Sequence, residues 1–182
     1  MKHFAITSSL VAMLFASMLA HAEDGLLMGD VKLACEAVLC LSSGGRPDEC
    51  SPALNRYFGI VRKKARETRE ARKEFLQQCP DTSQDAQMAS LVDTISISAG
   101  NCDAAALNSS FWRLNSTLPA YCATYADHAY TDITPPVYVG LPERGGLWVE
   151  QVDYERALRE YTARVAAEDE EARRLAQVNG GN

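Results

Sequence analysis

All six cysteines of this 182-residue chain fall between residues 35 and 122, behind an N-terminal stretch that reads as an export signal. An even cysteine count in an exported chain favours disulfides over metal-binding or catalytic thiols, so cross-links are expected to shape the fold. Met1-Lys2-His3 gives a short positive start. Phe4 to Leu19 is apolar except for Thr7, Ser8, Ser9 and Ser17, and Ala20-His21-Ala22 supplies the small-x-small pattern for cleavage after Ala22. That run is too short and interrupted to span a bilayer comfortably. Cys35, with Lys32 three positions before it, does not fit a lipid-attachment box. Residues 1–22 are therefore expected to be a signal peptide and residues 23–178 a single helical domain in the periplasm. Residues 179–182, Asn-Gly-Gly-Asn, read as a disordered tail. No later segment approaches transmembrane length, so no membrane span is expected after cleavage.

Cleavage removes Lys2 and no acid, which moves the formal charge from −6 to −7. That balance argues against general attraction to nucleic acid or anionic lipid. Cleavage also removes His3 and His21 and leaves His128 as the one histidine. A histidine-activated serine or cysteine nucleophile would have to use it, and no Gly-x-Ser-x-Gly turn is present. With the cysteines oxidised, no zinc constellation can be assembled, and no calcium loop is visible. No cofactor is expected.

The chain reads as mainly α. Asp30 can cap a helix from Val31 to Leu41, stopped by Ser42-Ser43-Gly44-Gly45, with Val31, Ala34, Val38 and Leu41 on one face. Cys35 lies beside that face and Cys40 points away from it. Ser51-Pro52 starts a helix expected to run to Gln78, with a thin stripe of Leu54, Phe58, Val61, Ala65, Thr68, Arg72 and Phe75 leading to Cys79. Thr82 or Ser83 can cap a third helix through Ala99, with Met88, Leu91, Val92 and Ile95 inward. Asp103 can cap a fourth with Leu107, Phe111 and Leu114, and Pro119 opens a short fifth segment. Beyond Thr134-Pro135-Pro136, the β-prone runs Val137-Tyr138-Val139 and Leu147-Trp148-Val149 can form a small hairpin or extended clamp near 137–149. Asp153 can cap a long C-terminal helix to Gln177, with Leu158, Tyr161, Val165, Ala172 and Leu175 inward.

Six cysteines permit fifteen connectivities. Cys40 and Cys50 flank a short loop and can close it directly. If the second and third helices are antiparallel, Cys79 and Cys102 lie about 25 Å apart along the helix between them and should not pair. Cys35–Cys102 and Cys79–Cys122 are then the simplest remaining bridges.

Three features invite a sharper reading. Glu36, in the most apolar helix, is the candidate for the raised carboxyl of a muramidase, but its phase places it on the polar face near Lys32. From Arg62 to Glu74, seven basic and three acidic residues suggest either a nucleic-acid or headgroup-binding face or a solvated helix laced by ion pairs, and the second is preferred. The acidic run Glu168 to Glu171 is an opposing charge partner within the molecule or between copies, so self-association stays open. Tyr121, Tyr125, Tyr130, Tyr138 and Trp148 gather around the prolines; core packing is their default, and Tyr138 and Trp148 are candidates for a partner surface.

Leu33-Ala34-Cys35-Glu36-Ala37-Val38-Leu39-Cys40-Leu41-Ser42-Ser43 is followed by Arg46-Pro47-x-Glu49-Cys50-x-Pro52-x-Leu54-x-x-Tyr57-Phe58. This cysteine-rich third resembles the TrbM/KikA family of conjugal transfer proteins. The resemblance covers most of the chain beyond the signal and implies a periplasmic accessory or assembly protein of a conjugative type IV secretion system, acting by binding envelope proteins of that machinery. It supplies no catalytic residues. It implies a turn that presents Arg46, Asp48 and Glu49 to a partner. The alternative is a peptidoglycan-modifying enzyme, or the cofactor of one, that helps the apparatus cross the cell wall.

Overall fold

A computed structural model describes residues 28–179. The expected signal peptide, residues 23–27 and Gly180-Gly181-Asn182 lie outside the described residues. The described part is mainly helical, with one small hairpin.

Helix α1 (Gly29–Ser42) buries Ala34, Ala37, Val38 and Leu41, the face its 3.6-residue period defines. It begins two residues earlier than the sequence suggested. Asp30 therefore sits inside the first turn, where its carboxylate accepts two hydrogen bonds from the Arg56 guanidinium at 3.0 and 2.6 Å. A 3-10 turn (Asp48–Cys50) leads into α2 (Ser51–Phe58), which buries Ala53 and Tyr57.

The expected Pro52–Gln78 helix is two helices. Helix α2 ends at Phe58, and α3 (Ala65–Leu76) starts after the loop Gly59–Lys64. Arg72 holds this break. Its guanidinium donates to the carbonyls of Phe58 and Ile60, both at 3.2 Å, and lies 5.0 and 5.4 Å from the Tyr57 and Phe58 ring centres. A cation stacked over two rings thus satisfies carbonyls that the helix end leaves open.

The break redirects the chain and changes the disulfides. Helix α3 runs back along α1 and delivers Cys79, 3% exposed, to Cys35 with a Cα separation of 4.8 Å. Cys102 bonds Cys122 across 5.5 Å, and Cys40 bonds Cys50 across 5.8 Å. Cys79 and Cys102 do not pair, as expected, but the expected Cys35–Cys102 and Cys79–Cys122 bridges are replaced by Cys35–Cys79 and Cys102–Cys122, because α3 returns along α1 and brings Cys79 to Cys35.

Helix α4 (Ala86–Ser98) is capped by Asp85, whose carboxylate accepts from the Met88 amide at 2.8 Å; Pro80–Ser83 form a separate 3-10 turn. Leu91, Val92 and Ile95 join Leu41, Tyr57, Phe75 and Leu76 in the main core, where the Tyr57 hydroxyl donates to the Ile95 carbonyl at 3.2 Å. Asp103 caps the short α5 (Ala104–Asn108) through the Ala106 amide at 2.7 Å, and α6 spans Ala120–Ala126. Phe111 and Leu114, expected on the fourth helix with Leu107, lie beyond its end and are each 70% exposed. Helix α5 stops at Asn108, and a 3-10 turn capped by Ser110 rotates Trp112 inward instead.

Strands β1 (Val137–Val139) and β2 (Leu147–Val149) pair antiparallel, with Tyr138 opposite Trp148. One face packs on α5 through Trp148 with Ala104 and Leu107. The other packs on α7 (Tyr154–Asn179) through Val139 and Val149 with Ala157 and Leu158. Helix α7 has 26 residues, but its inward stripe ends at Val165: Ala172 and Leu175, expected to face inward, are exposed. Arg144 anchors the helix midway by donating to Glu168 at 3.3 Å and Asp169 at 2.8 Å.

Peptide mapping under non-reducing conditions is expected to recover the Cys35–Cys79, Cys40–Cys50 and Cys102–Cys122 peptides. Replacing Cys35 and Cys79 together by alanine opens a loop of sequence separation 44 and should cost about 4 kcal/mol in urea denaturation. A loss below about 1 kcal/mol would show that this bridge does not hold α1 to α3.

Candidate functional site

The end of α1 and the residues after it meet three other segments around an open cleft of about 650 Å³. One wall is Ser43-Gly44-Gly45-Arg46. Ser98, Gly100, Cys102 and Asp103 form the second, Asp132 to Pro136 the third, and Glu150-Gln151-Val152 the fourth. Backbone pairing and disulfides hold these walls. The Asp132 amide donates to the Ser42 carbonyl at 2.9 Å, and Ser43 and Asp132 form a parallel bridge. Gly44 is required there, because a β-carbon would collide with the Asp132 carbonyl. The Cys40–Cys50 disulfide ties the end of α1 to the turn before α2, and Cys102–Cys122 ties the second wall to α6.

Tyr125 lies at the floor, 3% exposed, and its hydroxyl donates to the Leu41 carbonyl at the end of α1. Burial pushes the phenol up to about 12, while the Arg46 guanidinium pulls it the other way. Ser98 donates to the Tyr121 carbonyl at 2.9 Å, which joins α4 to α6. Of the acids in the cleft, Asp103 and Glu150 are engaged at the start of α5, Glu150 accepting from the Ala104 amide at 2.8 Å. They satisfy free helix amides there.

The residues proposed from sequence divide clearly. Arg46, Asp48 and Glu49 are exposed on one loop, and Arg46 lines the cleft. Trp148 is not a surface residue: it is 2% exposed, its indole donates to the Trp112 carbonyl at 2.8 Å, and its backbone is bonded to Asn108. Both hairpin faces are covered, so the strand position that could have faced solvent packs on α5. Tyr138 is half-buried, with its ring edge on Trp148 at 5.2 Å and its hydroxyl donating to the Arg113 carbonyl.

The enzyme candidates lie elsewhere. Glu36 pairs with Lys32 at 3.5 Å on α1. His128 accepts from the Tyr130 amide at 3.1 Å through Nδ1, its Nε2 is buried without a partner, and it does not line the cleft. Among the described residues no group of three or more histidine, cysteine or carboxylate side chains is placed to hold a metal ion. The cleft walls Ile133 to Pro136 and Gln151-Val152 carried no chemical motif and were missed from sequence. The one signal for them was Thr134-Pro135-Pro136, which stops both helix and sheet.

The fold is thus a disulfide-linked helical domain with a small hairpin, and its cleft is lined mostly by loops. A sequence model of the TrbM family matches residues 26–116 and 110–162, and the chain belongs to that family. Membership makes it a conjugal-transfer-associated protein. No curated protein and no solved structure matches it. The disulfides are compatible with a secreted or periplasmic protein, and no described helix is long and apolar enough to cross a membrane.

Replacing Tyr125 by phenylalanine leaves the Leu41 carbonyl without its buried donor and should cost about 1–3 kcal/mol at neutral pH. The pH dependence has a definite sign. A phenol raised from 10 to about 12 favours its neutral form in the fold, so its contribution is present below pH 10 and is lost as pH rises towards 12. The stability difference between the parent protein and Tyr125→Phe should therefore shrink across that window in alkaline titrations of urea unfolding.

Proposed function

We propose that this protein is a periplasmic accessory of a conjugative type IV secretion apparatus and acts by binding an envelope protein at the cleft. Family membership supports the conjugal part. The observation that carries the binding part is the cleft itself. Its walls are fixed before any partner arrives, so little ordering entropy is lost on binding. Its rim offers what an extended peptide needs: exposed backbone at Gly44-Gly45, the cation Arg46, the carboxylate Asp132, and Val152 at 91% exposure. Loops held on a rigid scaffold are the usual place for such recognition.

Deleting the gene is expected to lower plasmid transfer and the amount of assembled apparatus. The parent protein should restore both, and Glu36→Gln should restore them equally well. Crosslinking pull-down from envelopes of donor cells should recover a component of the transfer machine. Unchanged transfer and assembly after deletion would overturn the accessory role. Clearing of peptidoglycan by the purified oxidised protein in zymography, lost in Glu36→Gln, would replace the binding role by an enzymatic one.

A further inference from the structure

The loop between α2 and α3 carries a charge pattern opposite to that of the chain. Arg62, Lys63, Lys64 and Arg66 form a run of four cations, and no acid occurs from Asn55 until Glu67. Val61, immediately before them, is 66% exposed. The cations are held outward: Lys64 and Arg66 are about three-quarters exposed, at 75% and 74%.

This loop is built rather than slack. Arg72 fastens its start at the Phe58 and Ile60 carbonyls, and the Thr68 hydroxyl accepts from the Arg62 amide at 2.9 Å. Lys64 pairs with Glu67 at 3.3 Å and Arg66 with Glu70 at 3.8 Å. Among the described residues Arg62, Lys63 and Arg69 make no ion pair. An aliphatic tip flanked by cations is the combination that places apolar area in a bilayer interface while the charges meet phosphates.

Other anions fit less well. Glu67, Glu70 and Glu74 recur along α3, so a polyanion laid along that helix would meet all three carboxylates, whereas a flat surface meeting the loop end-on would meet only Glu67, which Lys64 already pairs. The acidic run of a second copy is already occupied: Glu168 is held by Arg144 and Arg164, Asp169 by Arg144, Glu170 by Arg173 and Glu171 by Arg174.

We propose that the loop Val61–Lys64 and the first turn of α3 bind an anionic phospholipid surface, with Val61 entering the headgroup layer. This contact is peripheral, adds no membrane span, and sets the domain at a bilayer face independently of what the cleft binds. Its test reads lipid binding alone, so it can fail without touching the conjugal role.

The experiment is flotation of the purified oxidised protein with vesicles of equal parts phosphatidylethanolamine and phosphatidylglycerol, against phosphatidylcholine vesicles. Binding to the anionic vesicles only, released by salt, is expected. Reversing two charges in Arg62→Glu/Lys63→Glu should weaken it by at least about tenfold, since each cation near an anionic leaflet is worth about a factor of five. Val61→Ser should weaken it as well, and near-ultraviolet circular dichroism should show both variants folded. The proposal is overturned by equal binding to both vesicle types, by no binding to anionic vesicles, by undiminished binding of the charge variant, or by salt-sensitive self-association of the free protein that the same variant abolishes. Undiminished binding of Val61→Ser would overturn the insertion of Val61.

Discussion

The Cys35–Cys79 cross-link is the constraint around which the helical core is arranged. It joins α1 to the end of α3, and this is possible only because the chain turns back after Phe58. That turn-back lets Phe75 and Leu76 meet Leu41, Tyr57 and Ile95 in one cluster. A continuous helix would have carried the same residues, with Cys79, away from α1. The disulfide restricts the unfolded chain, while the packed side chains supply the apolar burial that favours the fold.

Arginines perform much of the remaining positioning. Arg72 closes the end of α2, Arg56 ties α2 to the first turn of α1, and Arg144 and Arg164 connect the hairpin turn to α7. A planar guanidinium can serve several acceptors at once, which suits it to helix ends and tight turns. The charges that a count assigns to the surface are in these cases parts of the scaffold. The loop after α2 is different, because Arg62 and Lys63 are held outward and left unpaired by ions among the described residues.

The legible parts of the fold were those with strong local signals. Val31 to Leu41 had a helical period, Asp103 was a good cap, and the two β-prone runs formed the hairpin. The break at Gly59 was hidden because one glycine inside a helical pattern is tolerated and no proline follows it. Its trace was the thin stripe through Val61, Thr68 and Arg72, which no core could have used throughout. The same break brings Cys79 to Cys35, a choice that the separation of Cys79 from Cys102 left open. Trp148 was misplaced because a strand covered on both faces shows no polar alternation to say which way its aromatic points. The Arg46 loop was legible as an exposed turn, but the rest of the cleft is made by segments distant in sequence and has no local pattern.

These features describe a fixed helical platform whose loops line an open cleft, the proposed recognition site, in a conjugal-transfer-associated protein. Site-specific photocrosslinking in donor cells tests the central claim most directly, with the probe at Val152 on the cleft rim and, for comparison, at Gln87, about 16 Å away along α4 from Ser98. The account predicts an adduct to a component of the transfer apparatus from Val152 and none from Gln87. The same adduct from both positions, or none from Val152 in cells that transfer plasmid normally, would contradict it.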